Sequence, residues 1–467
     1  YDFLTYEGYD WGLVNAEHVR QPSMWKYLDH HELSSVVLNV PVTHPPRGFN
    51  GALIPGYLAP TELSGHPDGI VDDIRDEIGE YRLYAERETD STQDAETKYN
   101  DYLDLTNMRG DAFRYLLDRF DPDFGFIQFQ KTDAVFHDFP GDTEKVEGIY
   151  REVDKQIGRI LDQSDPDLVL IVSDHGIGSY DGYDFHVNEY LRRGGFLESE
   201  TGGRGIPSWV QMKEEELIEE GSNSARSVLT TLAKFASSVG LTHQRGKYFL
   251  DKLGLTDIVR RYLPVGVVYA ATEAVDYEQS VAYFRSPSEL GVRLNVQGRE
   301  PSGVVDPDEY RNVRSDIITY LAEARTPDGE QVFENVVPRE EFFNGYYVKD
   351  APDIVLVPKD YTHSLSSLLG ELFSTPEPNN HKPTGILIGC GSQVEQKANI
   401  GKPHIYDVAP TVLSSFSVPP AVDMDGNTIP FIDAQESKKY PEYDGSQSGQ
   451  MRDSDVEDRL SDLGYLE

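Results

Sequence analysis

FGFIQFQKTDAVFH, residues 124–137, passes from an apolar run straight into a polar segment that carries Asp133 and His137 four residues apart. DLVLIVSDHG, residues 167–176, repeats the arrangement and ends its apolar run in Asp174 and His175. Near-continuous apolar runs of this length suit strands buried on both faces of a sheet. Further runs of this kind are SSVVLNVP (34–41), DIVLVP (353–358) and GILIG (385–389), and helical periodicity fills residues 99–120, 143–163, 307–325 and 363–373 between them. Strands alternating with helices predict an α/β fold with a largely parallel central sheet flanked by helices. In such sheets ligands sit beyond the carboxyl ends of the strands, where both Asp/His pairs fall.

Asp133 and His137 are one helical turn apart and can face a single ion. Asp174 and His175 sit side by side at a strand end, and His381 lies in NNHKPTG just before the GILIG run. Carboxylate oxygen with imidazole nitrogen is a donor set that zinc or manganese accepts. Each element alone has an ordinary explanation. Surface helices produce Asp-x-x-x-His by chance, SDHG reads as a capped turn, and His381 reads as a loop residue. The three together, all at strand ends, point to a metal centre.

Residues 199–278 change character, with a Gly-rich entry at 201–205, an acidic run at 214–216 and two amphipathic stretches. They read as a helical cap inserted between two parts of the α/β domain, 1–198 and 279–434, with a tail from 435 to 467 that ends in a short helical pattern. The polar stretch 72–100 reads as a solvated helix and loop.

The chain of 467 residues carries 81 Asp and Glu against 42 Lys and Arg, a formal charge of −39. With 38% hydrophobic residues it has ample material for a core, so the charge does not signal disorder. A field of this sign repels phosphate backbones and anionic bilayers, which excludes nucleic-acid coating. It suits a salt-adapted surface whose self-repulsion is screened at high ionic strength. Cys390 stands alone, so the chain has no intrachain disulfide, and no apolar run is long enough to span a bilayer. A cytoplasmic location is expected.

The segments QKTDAVFH, VSDHG, FHVNEYLRRGGFL, YYVKDAPDIVLVP, HKPTGILIGCG and IYDVAPTVLSSFSVPPAVDMDG together resemble the alkaline phosphatase superfamily, in its type I phosphodiesterase and nucleotide pyrophosphatase branch, to which sulfatases are related. The resemblance implies an alkaline-phosphatase-like sandwich and a hydrolase of phosphate esters or diesters acting on a small phosphorylated substrate. It implies two divalent ions, zinc first, with manganese or magnesium as alternatives. Asp133, His137 and His381 would hold one ion, and Asp174 and His175 the second. It also implies a Thr or Ser nucleophile and a covalent phosphoryl-enzyme intermediate, with the nucleophile on a first strand expected upstream of residue 1. Thr5 and Thr43 do not follow a strand and an Asp in the required order. Arg47 and Asn50, in NVPVTHPPRGFNG (39–51), are candidates for contacting a phosphate substituent, beside a loop-packing alternative. A non-catalytic binding protein on the same framework, a phosphomutase and a sulfatase are the competing readings.

Overall fold

The structure, a computed structural model, describes residues 3–85, 94–201, 273–394 and 400–441. These fall into two compact units, one formed by residues 3–13 and 179–380, the other by 14–178 and 381–441. Most of the expected cap, including both amphipathic stretches, and the helical pattern of the tail lie outside the described residues.

In the second unit a three-stranded parallel sheet has β1 (Ser35–Val40) at its centre, flanked by β2 (Gly51–Pro55) and β3 (Phe124–Ile127). Alternate residues of β1 serve opposite faces, as the two-residue period of a strand requires. Val36 and Leu38 pack with Ala112, Phe113 and Leu116 of helix α1 (Ala95–Phe120), while Val37 packs with Trp25, Phe49 and Leu53 on the other side. Both faces are therefore covered, which explains the uninterrupted apolar run. Helix α2 (Lys131–Asp138) follows β3, and α3 (Thr143–Ser164) lies along α1, where Gln156 donates to Asn107 Oδ1 at 2.7 Å. A second ladder joins β4 (Leu168–Val172) to β5 (Leu387–Gly391). It packs one face on Ile429, Phe431 and Ile432.

In the first unit an antiparallel four-stranded sheet has the order Ala282–Phe284, Gly291–Leu294, Ile354–Pro358, Phe333–Pro338. Its core includes Ile317 and Leu321 of the helix Tyr310–Ala322 and Val187 and Leu191 of the helix Val187–Arg193. A smaller sheet places Asp184–His186 between Ser364–Ser366 and Phe373–Ser374. No helix among the described residues is long and apolar enough to cross a membrane.

The fold is mixed α/β with a parallel sheet and helices, and it departs from the expected pattern at three places. The run DIVLVP forms a strand whose two neighbours are both antiparallel to it. The strand within GILIGCG, β5, is antiparallel to β4 and leaves Ile386 and Ile388 about half exposed. An apolar run does not report strand direction, because direction is decided by which segment pairs with it, and in β5 it does not report burial either. Residues 363–373 do not form the expected helix. Ser364–Ser366 joins the Asp184–His186 strand in parallel, Leu365 enters the core, and Gly370 at φ +107° breaks any helical path. Serine side chains that compete for backbone groups weaken the helical alternative there.

Candidate metal centre

Helix α2 is held at both ends by α1. The Lys131 ammonium lies 4.4 Å from the ring centroid of Tyr102, and the Tyr102 hydroxyl and Lys98 both engage the Asp138 carboxylate. Ala134 and Val135 are fully buried. This seating fixes the helix rotation and turns Asp133 and His137, one turn apart, to the same side. His175 lies just beyond β4, and His381 lies on the short strand Asn379–Lys382.

The four side chains converge. Asp133 Oδ1 is 3.5 Å from His137 Nε2, 3.5 Å from His381 Nε2 and 4.0 Å from His175 Nε2. The Nε2 atoms of His137 and His381 are 3.2 Å apart, and one ligand atom each from Asp133, His175 and His381 can be chosen so that all lie within 4.8 Å of one another. Donors bound tetrahedrally at 2.0–2.1 Å from an ion stand about 3.3 Å apart, a spacing that Asp133, His137 and His381 approach and that His175 exceeds by less than 1 Å from Asp133. Asp133 Oδ1 is moreover buried and accepts no hydrogen bond. A buried carboxylate oxygen left in that state is costly unless a cation meets it, so the residues present fit a divalent ion.

Protonation favours the same reading. Burial works against ionisation of Asp133, but the His137 and His381 imidazoles outweigh it and hold the carboxyl well below its usual range. Burial also lowers His381 below the ordinary imidazole value against the pull of Asp133, with His175 and His137 adding to the lowering. Metal binding takes the ionised carboxylate and displaces the proton from each imidazole nitrogen that ligates. At His175 the orientation is explicit, since Nδ1 lies 2.9 Å from the Gly176 carbonyl oxygen. A carbonyl only accepts, so Nδ1 carries a proton, and Nε2 is the nitrogen turned to the cluster.

The two ligand sets read from sequence are contiguous. His175 Nε2 reaches the Asp133 group, whereas Asp174 stands at its rim with its side chain 72% exposed, Oδ1 lying 3.8 Å from His175 Nε2 and accepting the His175 amide at 3.1 Å. Arg47 and Asn50 are placed elsewhere. Parallel strands need a crossover that returns to the starting end of the sheet. The loop after β1 makes that return, so Asn50 sits at the amino end of β2, opposite the end from which α2 departs. Its amide donates to Asp29 Oδ1 at 2.9 Å, and Arg47 lies on the return path before Phe49, whose ring belongs to the apolar face with Val37. The Thr43 hydroxyl closes the turn after β1 by donating to Val40 O at 2.6 Å and accepting from the Gly56 amide at 3.4 Å. Asp407 accepts from the His404 and Asn427 amides and so caps a turn. The Gly176 carbonyl that orients His175 carried no sequence signal, because any residue offers a carbonyl.

Residues 2–385 match the family model described as type I phosphodiesterase / nucleotide pyrophosphatase. The chain belongs to that family and is a phosphoric ester hydrolase of this type. No curated protein matches it. Among solved structures it is similar to phosphonoacetate hydrolase from Sinorhizobium meliloti 1021, in complex with phosphonoformate at 11% identity and with phosphonoacetate at 10%. Each alignment covers 83% of this chain and 73% of that one with a TM-score of 0.39.

Proposed function

We propose that the protein is a divalent-metal-dependent hydrolase of phosphate esters or diesters whose ions are held by Asp133, His137, His175 and His381, with Asp174 at the rim. The observation that carries this reading is the buried Asp133 oxygen, which accepts no hydrogen bond and faces three imidazole Nε2 atoms at 3.5–4.0 Å. Bound divalent ions, zinc above all, would supply positive charge for the phosphoryl oxygens and lower the pKa of a bound hydroxyl or water. The residues of the chain do the remaining work. Asp133 provides fixed negative charge, α1 holds α2 so that Asp133 and His137 keep one face, and the Gly176 carbonyl holds the His175 tautomer.

The nucleophile in this proposal is a Thr or Ser hydroxyl that forms a covalent phosphoryl-enzyme intermediate, carried by a further strand paired to the sheet. Support comes from β3 and β4, which end at the cluster. Among the described residues each is bonded along one edge only, and their apolar side chains stay half-buried. Local metal charge reconciles a chain of −39 with an anionic substrate. The same charge makes stability depend on salt in our proposal, since screening falls from about 10 Å at 0.1 M to about 3 Å at 1 M. A melting temperature that does not rise between those salt concentrations would remove that part of it.

Zinc and manganese titration of the full chain, with hydrolysis of a chromogenic phosphodiester, tests the main reading. Metal binding that weakens in Asp133→Ala and His381→Ala is expected. Unchanged metal stoichiometry in both variants, or hydrolysis indifferent to a chelator, would overturn it.

A further inference from the structure

The segments carrying His175 and His381 meet along a seam that none of the ligands themselves forms. The Ser173 amide donates to the Ile386 carbonyl oxygen at 3.1 Å, and the Ile386 amide donates back to Ser173 Oγ at 2.8 Å. Ser173 thus satisfies both backbone groups of one residue, fixing the register of the two segments two residues before His175 and five after His381.

Two glycines let the segments approach this closely. A Cβ on Gly176 would overlap the carbonyl oxygen of Thr384, and a Cβ on Gly385 would overlap Ser173 Oγ and press on the His175 carbonyl oxygen at 3.0 Å. Neither glycine has a positive φ, so backbone freedom is not the reason for glycine at either place. The reason is space. The obstacle at Gly176 is backbone, which cannot rotate aside, so an added methyl must push the residues 382–385 away from residues 173–176. The His175 and His381 rings, whose centroids are 4.2 Å apart, sit on those two segments.

We infer that Ser173, Gly176 and Gly385 are positioning residues, a close-packed seam that sets the separation of the His175 and His381 nitrogens at the distance one coordination shell requires. The inference rests on the metal reading proposed above. It adds that affinity is set by packing behind the ligands as well as by the ligands.

The test is zinc affinity by calorimetric titration, read beside the melting temperature of the metal-free protein. Ser173→Ala leaves that melting temperature close to wild type, since the bond it removes lies at an exposed edge, yet weakens zinc binding about tenfold, the lower end of what loss of an orienting partner costs at metal sites. Ser173→Thr, which keeps the hydroxyl, retains wild-type affinity, and Gly385→Ala weakens binding at least as much as Ser173→Ala. Gly158→Ala, on α3 where a Cβ meets nothing within 4 Å, serves as the control and binds zinc normally. Wild-type affinity in both Ser173→Ala and Gly385→Ala would overturn the seam while leaving the metal centre standing. Zinc binding that is absent from the wild type, or unaffected by Asp133→Ala, would overturn the metal centre and the seam with it. Gly176→Ala adds a larger displacement, and because Ser173→Ala tests the same point at an exposed bond, a folding failure at Gly176 does not shield the proposal.

Discussion

Each unit of the molecule buries carboxylates beside cationic or imidazole groups, and the units differ in what meets the oxygens. In the first unit Asp184 accepts from the Ser364 hydroxyl at 2.7 Å and the Ser374 hydroxyl at 3.0 Å, with His186 Nε2 3.4 Å away. Asp353, fully buried, accepts from Arg299, Arg339, the Tyr310 hydroxyl and the Leu294 amide. These carboxylates are closed by protons the chain itself provides. In the second unit Asp133 Oδ1 accepts no hydrogen bond, and the His137 and His381 Nε2 atoms each stand 3.5 Å from it. Residue types alone do not separate the two cases, since Asp184 and His186 look as much like ligands as Asp133 and His137 do. Satisfaction separates them. A saturated carboxylate holds the fold, and an unsaturated one is arranged for something that arrives later.

The sharpest way to break this contrast is to remove one carboxylate of each kind. Asp353→Ala strands two guanidinium groups in the first unit and is expected to cost about 3–5 kcal/mol, the usual loss when one partner of a buried ion pair is deleted. Denaturant unfolding reads this, and zinc stoichiometry should not change. Asp133→Ala should do the reverse. It is expected to reduce zinc affinity by at least about 100-fold, beyond the loss of a mere supporting partner, and to cost the metal-free protein less than Asp353→Ala does, since the imidazoles that hold the Asp133 carboxyl low can give up a proton and the two guanidinium groups cannot. A large loss of metal-free stability in Asp133→Ala would end the contrast.

Acid gives a smaller effect with a definite sign. Burial tends to raise the Asp184 carboxyl, but His186 and the two serine hydroxyls outweigh it and hold the group below its usual value. A depressed folded-state pKa means that the unfolded chain takes up the proton first. The stability Asp184 contributes is therefore present above about pH 4, the unfolded carboxylate value, and is lost as pH falls below it. Asp184→Asn should flatten the dependence of unfolding free energy on pH below 4 and leave the neutral limb parallel to wild type. The smallest expected effect is at Gly158. Replacing this exposed helical glycine by alanine should stabilise the protein by about 0.5–1 kcal/mol in denaturant titrations.

Much of this was legible in the chain. The parallel strands Ser35–Val40 and Phe124–Ile127 follow from their apolar runs, the first buried on both faces and the second half-buried, and α1 and α3 lie where the 3.6-residue period placed them. The pair Asp133 and His137 was legible because a helix turns a four-residue spacing into a shared direction. The expected helix at 363–373 failed because Ser364–Ser366 found a strand partner far away in sequence. The sequence does not say at which end of the sheet Arg47 and Asn50 lie, since a parallel crossover begins at one end of the sheet and finishes at the other.

By itself the sequence determined the residue types of the cluster, the strands β3 and β4 that lead to it and a formal charge of −39. These are local or additive properties, fixed by spacing and composition. Only the tertiary structure decided that His175 meets Asp133, that a Gly176 carbonyl sets its tautomer, and that the serine hydroxyls saturate Asp184 while none reaches Asp133. The meetings of His175 with Asp133 and of the serines with Asp184 depend on how segments 42 to 190 residues apart close on one another, and the seam at Gly176 and Gly385 depends on the width of a single methyl group.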